Sequence, residues 1–167
     1  VDLCGEPTWM KRMIEEHQSA AEASGARIVF SCGFDSIPFD LGVLYLQQAA
    51  GEQFGKPINR IRGRVRGMKG TWSGGTIASF KATMAAAAKD PALLTSLQDP
   101  FALTPGFTGP EQPDGLRPSY DEVIDSWVAP FIMATINTKN IHRSNMLLGH
   151  CYGKDFLYDE MLITGPG

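Results

Sequence analysis

Apolar positions recur at helical spacing near the start of the chain. Met10, Met13, Ile14, His17 and Ala21 fall on one stripe, while Lys11, Arg12, Glu15 and Glu16 fall elsewhere. Gly5, Glu6 and Pro7 stand just before this stripe, and proline suits a first helical turn. Gly25 is a natural C-cap. The pattern predicts a helix between these signals, following the end of a strand at residues 1–4. Residues 26–32 read A-R-I-V-F-S-C, with a continuous apolar core rather than an alternating one. That predicts a short strand buried on both faces in a parallel sheet. A second helix is expected over 38–53, with Leu41, Leu44 and Tyr45 marking its core face. Val43 and Leu46 widen that face, so this helix is expected to be covered on more than one side. Strand, helix, strand and helix with tight links predict an α/β arrangement with parallel strands.

The period changes after Gly55, Lys56 and Pro57. Residues 58–70 alternate, with Ile61, Gly63 and Val65 on one strand face and Arg60, Arg62, Arg64 and Arg66 on the other. Such a row either attracts a phosphate-bearing group or an acyl carrier, or is a solvated face paired with acids of another segment. Ser73, Gly74, Gly75 and Thr76 read as a turn, with Ser73 or Thr76 capping an alanine-rich helix over 77–89. A short helix follows over 92–98. Residues 99–118 hold Pro100, Pro105, Pro110, Pro113 and Pro118 with Gly106, Gly109 and Gly115, which predicts a long surface loop. Ser119 as N-cap and Glu122 at the third position predict a helix start over 119–125. A helix over 137–148 and a strand over 155–163 complete the pattern.

Composition narrows the function classes. The chain has 167 residues, 43% hydrophobic and 20% charged, with a net charge of -3. That suffices for a core without disulfides and excludes disorder of the bulk. The size suits one domain, or one domain plus part of another. The longest apolar run, 128–134, is seven residues with a proline inside, too short to cross a membrane. The charge balance makes no case for nucleic acid or for an anionic membrane surface. Cys4, Cys32 and Cys151 are far apart, which fits a reduced, cytoplasmic protein in which each thiol is a small buried hydrophobe. The chain opens without a methionine and with an acid at position 2, so no signal peptide is expected, and an internal piece of a longer protein is.

Two loops could carry chemistry. Gly33, Phe34, Asp35, Ser36, Ile37 and Pro38 follow the expected strand and open a helix, where open α/β sheets place their ligands. Residues 2–6 occupy the same place after the preceding strand. A ligand site and a plain turn with Asp35 or Ser36 as helix cap both fit these residues. No G-x-G-x-x-G, P-loop or G-x-S-x-G motif is present, and His17, His142 and His150 lack metal-ligand spacing, so no metal site is expected. His17, on the apolar stripe, reads as a core histidine.

Five stretches, in order, carry a resemblance. They are V-D-L-C-G-E at 1–6, A-R-I-V-F-S-C-G-F-D-S-I-P-F-D-L-G at 26–42, G-T-W-S-G-G-T-I-A-S at 70–79, A-P-F-I-M-A-T-I-N-T-K-N-I-H-R-S-N at 129–145 and Y-G-K-D-F-L-Y-D-E at 152–160. Together they resemble the saccharopine-dehydrogenase-like oxidoreductases, including the trans-acting enoyl reductase branch. The resemblance implies a partial Rossmann-type parallel strand-helix segment over 1–54, followed by a mixed-sheet α/β domain for substrate binding and dimerisation over 55–167. It implies NAD or NADP as cofactor of the intact parent, with Gly5, Glu6, Gly33, Phe34, Asp35 and Ser36 beside it. Ser73, Gly74, Gly75 and Thr76 would border the cleft for a small-molecule or lipid-derived substrate. The family's glycine-rich cofactor motif lies upstream of the segment that matches 1–6, so the chain alone is expected to be inactive and to bind no dinucleotide tightly. No catalytic acid is singled out. A homodimer is implied, and the alternative is a non-catalytic dimerisation or lipid-associated domain of the same fold.

Overall fold

The computed structural model describes residues 1–69 and 74–166. Its elements are α1 (Pro7–Ser24), α2 (Ile37–Phe54), β1 (Arg60–Val65), α3 (Gly74–Ala87), α4 (Pro91–Gln98), β2 (Ser119–Asp121), β3 (Ser126–Pro130), α5 (Ala134–Leu147) and β4 (Leu157–Gly165). The strands form a mixed four-stranded sheet in the order β1-β4-β3-β2. β1 runs parallel to β4, and β3 is antiparallel to both of its neighbours. No described helix is long and apolar enough to cross a membrane.

Helix α1 begins at Pro7 and stops at Gly25, whose left-handed φ of 70° lets its N–H close on Ala21 and Glu22. Its Met10 and Ile14 pack with Leu103 and Ile136 in a first buried cluster. The stripe ends there. His17 is exposed beside Glu16 at 3.8 Å, so it is not the core histidine its spacing suggested.

The pairing of residues 1–4 with 26–32 departs from the expected strands. Asp2 N donates to Val29 O and Cys32 N donates to Asp2 O, both at 2.9 Å, in the parallel sense. One extra residue, Ser31 with φ of 53°, bulges between those bonds and breaks the ladder. Neither segment joins the four-stranded sheet. Ile28 and Val29 are exposed, not buried on both faces, because no described layer covers their outer side.

Helix α2 turns part of the expected face inward, with Val43 in the core and Leu44 packed against it, but Leu41, Tyr45 and Leu46 stay exposed. Val43, Gln47 and Ala50 are buried, while Leu41 is 56% and Tyr45 70% exposed. Gln47 makes the difference. Its amide donates to Ile58 O (2.8 Å) and accepts from Ile58 N (3.0 Å), satisfying the chain as it enters β1. Val43 then meets Ile61, Ile141, Tyr152, Phe156 and Tyr158 in the second buried cluster.

The three arginines of the row that lie within β1 pair with acids, and Arg66 falls past the strand's end. Arg60 meets Asp159 at 3.3 Å, Arg62 meets Asp121 at 3.1 Å, and Arg64 meets both aspartates at 2.7 Å. β1 and β2 lie at opposite sheet edges, yet Asp121 of β2 reaches two arginines of β1. The sheet therefore curls, and β3 carries a register shift at Trp127/Val128.

Three further expectations change. Residues 119–130 form the β2–β3 hairpin instead of starting a helix. The cross-strand ring pair Tyr120–Trp127 and the ion pairs of Asp121 outweigh the local capping signal. The proline-rich 99–118 segment lacks regular strands, but it is not a surface loop throughout. Phe101, Ala102, Leu103 and Thr104 are buried, with the Phe101 N–H bound by Asp99 and the Thr104 hydroxyl bonded within the segment. Prolines prevent a ladder, not burial. The thiols also differ: Cys4 and Cys32 are half-buried and Cys151 is exposed.

Candidate functional site

The 33–36 loop turns on Gly33, whose carbonyl accepts from Ser36 N (3.1 Å) and Ile37 N (3.0 Å). Ser36 is buried at the N-cap of α2 and makes no side-chain capping bond. Asp35 is exposed, and its carboxylate folds back over Gly33, where a Cβ would meet Oδ1 at 2.5 Å. Phe34 is 91% exposed. The loop therefore presents an acid and an aromatic ring to solvent, and its helix start does not depend on either side chain. The 2–6 loop lies alongside through the Asp2–Cys32 bond and the Ser31 hydroxyl, which donates to Cys4 O at 2.9 Å. Within it, Glu6 accepts from the Cys4 thiol at 3.0 Å and from Gly5 N at 3.1 Å. Burial and the Glu6 carboxylate push the Cys4 thiol up to about 12, so it stays protonated and is no nucleophile at neutral pH.

Beneath the 33–36 loop sits a buried polar group that the sequence reading missed. Asn137 of α5 donates from Nδ2 to Asp35 O and to Glu160 Oε1 of β4, both at 2.9 Å. Asn137 and Glu160 are each 1% exposed. Burial raises the Glu160 carboxyl to about 7, with Asn137 and the nearby Tyr158 hydroxyl opposing the shift. Burial, reinforced by the Glu160 charge, raises the Tyr158 phenol as well. Glu160 Oε2 and Asn137 Oδ1 have no protein hydrogen-bond partner. Room for the group comes from Gly63 in β1, paired with Glu160. A Cβ at Gly63 would stand 2.7 Å from the Tyr158 hydroxyl and 2.9 Å from Glu160 Cγ. A Gly63→Ala variant should therefore lose about 1–3 kcal/mol by overpacking. A denaturation midpoint equal to that of wild type would contradict this packing.

Nearby, Ser144 donates to Asp40 at 2.9 Å, and burial raises the Asp40 carboxyl. His142, buried between Phe101 and Phe156, has its imidazole pushed down to about 4 by burial. Among the described residues no group of His, Cys, Asp and Glu could hold a metal ion.

The structure thus brings Gly5, Glu6, Gly33, Phe34, Asp35 and Ser36 to adjacent loops. Gly74, Gly75 and Thr76 begin α3 instead of forming a turn, and Ser73 lies outside the described residues. No local signal marked the missed group, which is assembled from distant segments. Asn137 stands among Thr135, Thr138 and Lys139 in α5 and Glu160 follows Asp159 in β4, so neither stands out by polarity, although both lie in resembling segments.

No family model matches the chain, and no solved structure matches it. Curated proteins do. A Mycobacterium tuberculosis protein named "Putative trans-acting enoyl reductase" is 40% identical over 173 residues. Proteins named trans-acting enoyl reductase from Mycobacterium ulcerans and Mycobacterium leprae are 34% and 33% identical. Each similarity covers 98% of this chain but 41% of the relative, so the chain spans about two fifths of their length.

Proposed function

We propose that the chain is the central part of a saccharopine-dehydrogenase-like, NAD(P)-dependent reductase acting on an enoyl substrate. The observation that carries this reading is similarity along nearly the whole chain to proteins named trans-acting enoyl reductase. The two adjacent loops supply a place for the chemistry.

A nicotinamide dinucleotide fits these loops in part. Cys4 N, Gly5 N, Ser36 N and Ile37 N are engaged within the loops themselves, which leaves those donors unavailable to a pyrophosphate. The carboxylates of Asp2, Glu6 and Asp35 would repel phosphate, but they can accept from ribose hydroxyls or a carboxamide. In this reading Asp35 orients the cofactor by accepting hydrogen bonds, and Phe34 covers a flat ring and excludes water. When bound, the cofactor supplies the hydride. The pyrophosphate belongs to a glycine turn outside this chain. The reading includes a homodimer, and light scattering that shows only an 18.2 kDa monomer would count against that element.

Calorimetric titration with NADPH tests the cofactor assignment. The 167-residue chain should bind it more weakly than micromolar. In the longer protein that carries this chain, Asp35→Ala should lower turnover or cofactor affinity at least about tenfold, beyond any stability loss. Wild-type kinetics in that variant would reject the site.

A further inference from the structure

We infer that Asn137 is the positioning residue of the 33–36 loop, and that Glu160 fixes which way its amide faces. The inference rests on the reading of that loop as part of the reductase site. An asparagine amide has two donor hydrogens on one side and an acceptor oxygen on the other. Here both hydrogens are committed: one to the backbone carbonyl of Asp35 and one to Glu160, each at 2.9 Å. If the amide turned over, its oxygen would face two oxygens. The carbonyl of Asp35 is thereby held from α5, 102 residues away in sequence, while its side chain stays free to act. The Gly33 turn has its own bonds to Ser36 and Ile37, and the 2–6 loop is tied through Cys32. Asn137 supplies the link from the 33–36 loop to the sheet, through β4.

The cost of this arrangement argues for its use. Both Asn137 Oδ1 and Glu160 Oε2 are buried without a protein partner. A well-packed apolar pair at these positions would avoid two such groups and would lose the link to Asp35.

Amide hydrogen exchange tests the inference without cofactor or substrate, so its outcome is separate from that of the NADPH titration. In the wild-type protein, Ser36 and Ile37 amides should be protected like the interior of α2. Protection no greater than that of an exposed turn would overturn the inference. Asn137→Asp removes the amide donor to Asp35 O and sets a second carboxyl beside Glu160, and those amides should exchange at least about tenfold faster. The double variant Asn137→Asp/Glu160→Gln separates positioning from plain stability. Its glutamine amide can donate to the introduced carboxylate, so the unfolding midpoint should recover toward wild type. Asp35 O still lacks its donor, so exchange at 36 and 37 should stay fast while the rest of α2 returns to wild-type rates. Loop exchange that recovers together with the midpoint would make Asn137 a structural residue and nothing more. If the single variant does not fold, the double variant and the wild-type protection pattern decide.

Discussion

Replacing Glu160 by glutamine should tilt the pH–stability profile upward between about pH 4.5 and 6.5. Two buried groups have opposite linkage. Glu160 has its carboxyl raised to about 7 in the folded chain, from 4.5. Between those values the folded state holds the proton that the unfolded state has released. Stability therefore falls as pH rises through that window, by about 3 kcal/mol in all. His142 has its imidazole lowered to about 4, from 6.5. Across that window the unfolded state holds the extra proton, and stability rises with pH by a similar amount, about 3 kcal/mol. From roughly pH 4.5 to 6.5 the two slopes, each about 1.4 kcal/mol per pH unit, oppose one another. Asp40, also raised by burial, acts in the same direction as Glu160. Glu160→Gln keeps an acceptor for Asn137 and removes one slope. Its stability should climb between pH 4.5 and 6.5, and at pH 7.5 it should exceed wild type. His142→Phe, set between Phe101 and Phe156, should show the reverse slope. Denaturant titrations at half-unit pH steps read both, and parallel profiles for the three proteins would sink the account.

What could be read from the sequence follows the reach of each signal. Local chemistry placed α1 within a residue or so, because Pro7 and Gly25 act through their own backbone. The alternation and arginine face expected over 58–70 held for Arg60–Val65, which leaves Arg66 outside the strand, since period 2 is a property of the strand itself. The pairing of that face with acids stood open until Asp121 and Asp159 arrived from about sixty and a hundred residues downstream. Non-local partners explain the misses too. A capping signal at Ser119 gave way to strand pairing with β3. The inward face of α2 was decided by Gln47, a polar residue that hydrophobic periodicity discounts. The two candidate loops could be named from their place after apolar segments. The Asn137–Glu160 group could not, because it draws on α5, β4 and the space left by Gly63.

Arg64 should prove the most costly of the arginines to lose. Its side chain is 12% exposed, against 40% for Arg60 and 37% for Arg62. It contacts Asp121 and Asp159 at 2.7 Å each and donates to Gly63 O at 2.8 Å, spending the guanidinium fork on three acceptors. Burial alone would raise the Asp121 carboxyl, but the hydrogen bond and charge of Arg64, with Arg62 and Val123, bring it below the usual value. Arg64→Met would leave two buried carboxylates beside one another with only half-exposed arginines to balance them. The expected loss at pH 7 is about 3–5 kcal/mol, the cost of removing one partner from a buried ion group. Arg60→Ala and Arg62→Ala, in more exposed pairs, should each cost about 1 kcal/mol or less. Lysine cannot span both carboxylates with a fixed fork, so Arg64→Lys should recover only part of the loss. Acid distinguishes this account from simple loss of packing. In wild type, Asp121 contributes stability above its unfolded pKa that is lost as pH falls through the lower folded value. Without Arg64 the sign reverses: protonation relieves two buried carboxylates that Arg60 and Arg62 balance only in part, and Arg64→Met should close part of its gap to wild type between pH 7 and pH 4. A gap that stays constant over that range, or equal losses for all three arginines, would show that the curled sheet does not depend on this clamp.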